Sequence, residues 1–321
     1  MAVYTRLTKP EIEDHLQNYQ LGKLIDSKEI IEGIDNSNFI LITEKGKFIL
    51  TIFESRINKN ELSFFINFKL HLAEKGISCP QPILDNSGLA IVDLKNKKSA
   101  IVTFLSGKNL LPEENGCYKN IEKIHCSEVG KFLAKMHLAA ADFSMQRKND
   151  LGINGFRPLF SKFESLIENY QKNLREEILE NLNFLEESWN LDLPGATTHL
   201  DLFPDNVFFD ENKKLTGVID FYFAASDALI YDFAIAVNAW CFDEKNNFAE
   251  EKFLAMKQAY EEIRKFSETE EKFLEIALVA AAMRFLLTRL HDMFFTPENS
   301  LVKIKNPQEY LTKLRFFRSK I

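Results

Sequence analysis

Two early stretches, Asn38 to Thr43 and Lys47 to Phe53, are rich in β-branched and aromatic residues and predict strands. Glu44-Lys45-Gly46 between them predicts a hairpin turn. From Glu61 to Ala73 the spacing changes: Leu62, Phe65, Phe68 (or Lys69) and Leu72 fall on one side at steps of three and four, which predicts a helix. Gly76 closes it, and Pro80 and Pro82 prevent its resumption. Leu89 to Leu94 and Ala100 to Leu105 predict two more strands, with the polar run Lys95 to Ser99 as their turn. The order strand, strand, helix, strand, strand describes a small sheet with one helix, and Ser106-Gly107-Lys108 then reads as a linker.

Beyond Gly107 the pattern is mostly helical. Ser127 is placed to cap a helix whose apolar stripe is Val129, Phe132, Leu133 and Met136, ending near His137. Phe163, Leu166, Ile167, Tyr170, Leu174, Ile178, Leu182 and Leu185 mark one long amphipathic helix that Pro194-Gly195 breaks. Ala196 to Leu200, Val207 to Phe209 and Leu215 to Ile219 predict short strands, and helical patterns return from Tyr231. No internal repeat or low-complexity segment interrupts this order.

At 321 residues the chain suits two parts with sizeable cores, 1–105 and 106–321. The 29 Phe point to aromatic-rich cores. A formal net charge of −7 argues against a nucleic-acid partner, because phosphate backbones are bound by a basic field. It does not exclude a nucleotide, which backbone N–H groups and a metal ion can hold. Cys79, Cys117, Cys126 and Cys241 form no C-x-x-C pair and are expected as free thiols. Met1 to Arg6 has no apolar core of a secretory signal, and the most apolar stretch, Ile276 to Leu287, is interrupted by Arg284 and too short to span a bilayer. The expectation is a cytoplasmic protein with no membrane partner.

The candidate chemistry lies in His199-Leu200-Asp201-Leu202-Phe203-Pro204-Asp205-Asn206, of the form H-x-D-x-x-x-x-N. Phosphoryl transfer needs these residue types: an Asp to accept or orient the proton of an attacking hydroxyl, and an Asn, five residues on, to offer an amide oxygen to magnesium. Ile219-Asp220-Phe221 follows fourteen residues later, after a predicted hairpin, where kinase-like folds place a metal-binding Asp. His199 is expected to orient the loop by hydrogen bonds.

With these residues the chain resembles the aminoglycoside phosphotransferase and choline kinase superfamily, whose later Y-D-L-A element is similar to Tyr231-Asp232-Phe233-Ala234. More specifically it resembles the bacterial type II homoserine kinases over nearly its full length. The likeness includes Met1 to Thr5, 33–39, Ile101 to Leu105, His199 to Phe209 (most specifically the tract 201–209), 219–231, Asn238 to Phe242 and Arg284 to Leu290. The resemblance implies an α+β, bilobed, protein-kinase-like fold: a small N-terminal antiparallel sheet with one helix, and a larger, mostly helical C-terminal lobe. It implies ATP and Mg2+ as cofactors and the hydroxyl of L-homoserine, a threonine precursor, as acceptor. Gly33, Asn36, Ser37 and Asn38 would form the loop over the phosphates, and Thr103, Phe104 and Leu105 the hinge that meets adenine. A plain turn and the end of a core strand explain the same segments.

One departure stands out. Kinases place a Lys on the third strand, paired with a Glu on the next helix. Glu61 occupies the second position, but Thr51 occupies the first, and Lys47 and Arg56 are the nearest cations. On the acceptor side, Arg284 lies on an otherwise apolar helix and needs an anion, either a structural partner or the substrate carboxylate. Asp205 is a candidate for the substrate ammonium, and Tyr222, Asp227 and Trp240 are candidates by closeness to the motifs. The rival readings are a superfamily kinase acting on choline, ethanolamine, an aminoglycoside or another hydroxy-amino acid; a nucleotide-binding protein without catalysis; and a structural protein.

Overall fold

The computed structural model describes residues 5–30, 36–54, 61–113, 116, 118–189, 192–297 and 304–321. Two compact units result, residues 1–106 with 217–222, and 107–216 with 223–321.

The first unit contains α1 (Lys9–Leu16), β1 (Leu24–Ile30), β2 (Asn36–Thr43), β3 (Gly46–Phe53), α2 (Leu62–Glu74), β4 (Pro82–Ile83), β5 (Val92–Leu94) and β6 (Lys97–Thr103). Its antiparallel strands are ordered β1-β2-β3-β6-β4, with β5 also on β6. The predicted β2–β3 hairpin and α2 are present, with Glu61 as the N-cap of α2. Ile12, Leu16, Leu41, Leu50, Ile52 and Ile101 share one core on the sheet. The expected strand Leu89 to Leu94 shrinks to β5, because the Asp85 carboxylate accepts the N–H groups of Ser87 and Leu89 and holds that stretch as a loop. The expected turn Lys95 to Ser99 narrows to Lys95 and Asn96, whose positive φ of 51° and 62° suit a two-residue hairpin, and β6 starts at Lys97. β1 escaped the pattern because it is polar on most positions, and β2 supplies its pairing.

The second unit contains β7 (Lys108–Asn109), α3 (Lys123–Ala140), α4 (Ile153–Phe160), α5 (Ile167–Tyr170), α6 (Leu174–Ser188), β8 (Gly195–Thr198), β9 (Val207–Phe209), β10 (Leu215–Val218), β11 (Ala225–Ala228), α7 (Leu229–Trp240), α8 (Glu250–Glu261), α9 (Glu268–Phe295) and α10 (Pro307–Arg318). The end of β10 clusters with the first unit. Ser127 is not a cap: α3 begins earlier, at Lys123, after the N-cap Glu122, whose N–H donates to His125 Nδ1 at 3.0 Å. The single long helix expected over 163–185 is divided, because Asn173 adopts φ 64° and the Glu168 carboxylate accepts the N–H groups of Asn173 and Arg175. The most apolar stretch lies in α9, opened by a reciprocal Ser267–Glu270 capping box and buried on all sides from Ala277 to Leu287. Cys79, Cys126 and Cys241 are buried free thiols, and Cys117 lies outside the described residues. Among the described residues no helix is long and apolar enough to cross a membrane.

Two glycines set close approaches. At Gly107, φ is 115° and a Cβ would meet the Phe209 carbonyl oxygen at 2.6 Å, so the start of β7 can lie against β9. At Gly130 on α3, a Cβ would lie 2.3 Å from the Met256 carbonyl oxygen on α8. Gly130→Ala ought to gain helix propensity, by about 1 kcal/mol. The clash reverses the sign, and urea unfolding should show a net loss of about 1–3 kcal/mol.

Candidate active site

The segment 199–206 leaves β8 as a loop. Leu200 adopts φ 62°, a conformation costly for a branched residue, and tertiary hydrogen bonds hold it there. Asp232 on α7 is fully buried and accepts the N–H groups of His199 at 3.0 Å and Leu200 at 2.7 Å. Arg284 on α9 donates through Nη1 to the Leu200 carbonyl, and Trp240 Nε1 donates to the Leu202 carbonyl at 2.8 Å. Within the loop, the Asp201 N–H donates to Nδ1 of the buried His199 at 3.2 Å.

Behind Asp232 stands a buried polar chain. His137 Nε2 is 3.0 Å from Asp232 Oδ2, and His137 Nδ1 is 2.7 Å from the Tyr260 hydroxyl. Arg264 donates to that hydroxyl at 3.1 Å and pairs with Glu270 at 2.9 Å. Burial alone would push the Asp232 carboxyl up, but the hydrogen bond and charge of His137, followed by His199, hold it below the usual aspartate range. Sequence reasoning placed Asp232 in a family element without giving it this role, and passed over His137 as a supporting residue. The available signal was one Asp within the apolar run Leu229 to Trp240, where a charge needs dedicated partners.

Asp201 is half-buried. Burial pushes its carboxyl above the ordinary value, opposed by the charges of Arg284, His199 and Lys305. A raised carboxylate pKa suits a proton acceptor working nearer neutrality. Asn206 Nδ2 donates to the Asp201 carbonyl at 2.9 Å and lies 3.4 Å from Asp201 Oδ2. The nitrogen end of the amide is thus tied to the loop, and the oxygen end is the one a hard cation prefers. Asp205 sits on the same turn, its carbonyl accepting from Asn109 Nδ2 at 2.7 Å, with Tyr118 close enough to feel its charge.

Asp220 belongs to the first unit and has φ 63°. Its turn is seated on α2 and β3 by aromatic edges: Phe221 on Phe68 at 6.0 Å between centroids, and Tyr222 on Phe65 at 5.6 Å and on Phe53 at 5.9 Å. Tyr222 is therefore partly core. Asp227, on β11, accepts from Asn149 Nδ2 at 2.5 Å and from the Ala228 N–H at 2.7 Å, which makes it a loop fastener. Trp240 is likewise committed to the loop carbonyl. Arg284, only 2% exposed, lies 4.7 Å from the Phe285 ring centre and 5.6 Å from that of Phe223. Its observed hydrogen bond is to the loop.

Gly33 and Arg56 lie outside the described residues. Asn36, Ser37 and Asn38 are strand rather than loop, since β2 begins at Asn36. The Ser37 hydroxyl donates to Glu54 at 2.8 Å, the Asn36 Oδ1 accepts from the Glu54 N–H at 3.3 Å, and the Asn38 Oδ1 accepts from Thr51 Oγ1 at 2.8 Å. The Ser37 hydroxyl and the two Asn amide oxygens are thus engaged within the sheet. Thr103 ends β6, its N–H donating to the Gln81 carbonyl at 2.9 Å; the Phe104 N–H reaches the Lys47 carbonyl at 3.4 Å, and Leu105 lies against Gly217. The Phe104 ring is 39% exposed, with Lys47 Nζ 5.7 Å from its centre. Glu61, half-buried, caps α2.

The phosphotransferase enzyme family model matches residues 26–266. A homoserine kinase of Rhizobium meliloti (strain 1021) is 43% identical over 319 residues, covering 99% of this chain and 95% of that protein. Another homoserine kinase, from Bradyrhizobium diazoefficiens, is 45% identical over 320 residues, with 99% and 95% covered. Among solved structures, a spectinomycin phosphotransferase in complex with ADP and spectinomycin aligns with a TM-score of 0.68 at 13% identity, over 98% of this chain and 95% of that one. An amicoumacin kinase aligns at 0.67 and 14% identity, over 98% and 93%. At such identities the structural likeness establishes the fold alone, and that fold is the protein-kinase-like one.

Titration of Asp232 ties the loop to acid stability. A carboxyl depressed on folding contributes stability that is complete above its unfolded value, about 3.9, and is lost as pH falls through the folded value. Thermal unfolding of the wild type should therefore show this contribution disappearing below about pH 4. Asp232→Ala should cost about 3–5 kcal/mol at pH 7, read by denaturant unfolding, and flatten that acid dependence.

Proposed function

We propose that this chain, which belongs to the phosphotransferase enzyme family and stands among its homoserine kinases, transfers the γ-phosphoryl group of ATP to the side-chain hydroxyl of L-homoserine. The observation that supports the reading most is the loop 199–206, in which Asp201 is held by its own backbone, with a raised carboxyl pKa, beside Asn206. The product is O-phospho-L-homoserine, an intermediate on the way to threonine.

Asp201 orients the acceptor hydroxyl and takes its proton as the oxygen attacks the γ-phosphorus in line. Asn206 Oδ1 and the Asp220 carboxylate are the protein groups that would hold a magnesium ion; the donor set, an amide oxygen and a carboxylate, fits a hard cation. When bound, such an ion neutralises charge on the phosphates. Arg284 keeps the loop in register and damps the rise of the Asp201 pKa. The substrate carboxylate falls instead to Lys305, which is exposed, 5.2 Å from the centre of the Phe203 ring, and acts electrostatically on Asp201. Asp205 accepts the α-ammonium.

ADP release should be measured with Mg-ATP and L-homoserine, L-serine, L-threonine, choline, ethanolamine and kanamycin. L-homoserine should dominate, and Asp201→Asn should lower kcat by about 10²–10⁴. Turnover of a different acceptor would overturn the substrate while keeping the mechanism. In the wild type, kcat/KM should fall on acidification with a midpoint above the ordinary aspartate value. Lys305→Met should raise the KM for L-homoserine about tenfold, the loss of one charge-assisted contact, and leave the KM for ATP unchanged.

A further inference from the structure

The polar chain behind Asp232 contains a phenol that the mechanism above does not use. Tyr260 lies on α8 and is fully buried. Among the described residues its hydroxyl has two hydrogen-bond partners: His137 Nδ1 on α3 at 2.7 Å, and Nη1 of Arg264, just beyond α8, at 3.1 Å. The ring is clamped between Phe233 and Phe266, with centroids 5.1 and 5.0 Å away. A phenylalanine would keep that packing, so what the tyrosine adds is hydrogen bonding.

The protons along this line have one consistent arrangement. A guanidinium donates and cannot accept, so the Tyr260 oxygen accepts from Arg264. Arg264 is itself held by Glu270, in the capping box of α9. The hydroxyl proton then belongs to the other partner, and His137 Nδ1 is the bare nitrogen that accepts it. The imidazole proton is therefore on Nε2, donated to Asp232 Oδ2 at 3.0 Å. Asp232 accepts the N–H groups of His199 and Leu200 as well, at the base of the loop that carries Asp201. A proton on Nδ1 would set donor against donor at Tyr260. Without the hydroxyl, Nδ1 would be a buried acceptor with no donor, close to the anionic Asp232. The ring would regain a partner by taking a second proton or by turning, and either change moves the group that braces Asp232.

We infer that Tyr260 is a positioning residue for phosphoryl transfer: its hydroxyl keeps His137 in the singly protonated form whose Nε2–H braces Asp232, and through Asp232 it holds the Asp201 loop in its working geometry. The inference rests on the reading of that loop as the catalytic one. Tyr260 acts through two other side chains, so its loss should appear in kcat and not in the KM for ATP or for L-homoserine.

The test is NMR of the imidazole nitrogens at neutral pH in the full chain labelled at histidine, with ADP release measured on the same proteins. The His137 signals are identified by their loss in His137→Gln. Wild-type His137 should show a protonated Nε2 and a bare Nδ1. Tyr260→Phe should lose that single form and lower kcat about tenfold, with both KM values within about twofold of wild type. Phe266→Leu, which loosens the same ring but keeps the hydroxyl, should lower the melting temperature and leave kcat and the His137 signals as in the wild type. Wild-type His137 as an imidazolium, or with its proton on Nδ1, overturns the inference. So does a folded Tyr260→Phe that keeps either the wild-type kcat or the wild-type His137 signals. A Phe266→Leu protein that loses as much kcat as Tyr260→Phe makes the effect one of packing and overturns it too. If Asp201→Asn keeps wild-type kcat, the reading of the loop is wrong and the inference goes with it, whatever the state of His137. Should Tyr260→Phe fail to fold, the wild-type signals decide: a bare Nδ1 supports the role and a protonated one overturns it.

Discussion

The buried carboxylate of Asp232 is the constraint on which the loop of the second unit depends. It accepts two consecutive backbone N–H groups, those of His199 and Leu200, and faces the His137 imidazole. Without it these two N–H groups would lose this acceptor, and the left-handed Leu200 would be left with Arg284 at its carbonyl. One side chain thus answers for both the cost of the buried charge and the cost of the backbone turn.

The remaining fasteners act on carbonyls. Arg284 takes that of Leu200 and Trp240 that of Leu202, so donors and acceptors of the same short segment are anchored to α7 and α9. Both helices are almost entirely buried where they do this, and a close-packed helix is a rigid mount. The geometry around Asp201 is inherited from core packing rather than from the loop itself. A loop of this composition, free of those helices, has no reason to choose φ 62° at a leucine.

The first unit solves a different problem with apolar material. Rings on α2 and β3 grip the two residues after Asp220, and the polar side chains at the start of β2 are used up in the sheet around Glu54 and Thr51. The sheet is thereby locked, and of the side-chain donors expected there for a phosphate loop the Ser37 hydroxyl is committed to Glu54.

The phosphotransferase class was legible in the sequence, because phosphoryl transfer demands particular residue types at short, fixed spacings, and the sequence 199–206 with Asp220 has that pattern. The β2–β3 hairpin and α2 were legible for a similar reason: period and turn residues are local properties. Other features were decided only by tertiary structure. β1 is a strand because β2 offers it a partner. The helix expected over 163–185 is divided because the Glu168 carboxylate captures the N–H groups of Asn173 and Arg175. Arg284 serves a loop carbonyl because the fold brings α9 to residue 200. Lys69 belongs with them. On the helix pattern it was an alternative to Phe68 for the inward face, and its burial against the Asp220 turn is a long-range contact that no local spacing encodes.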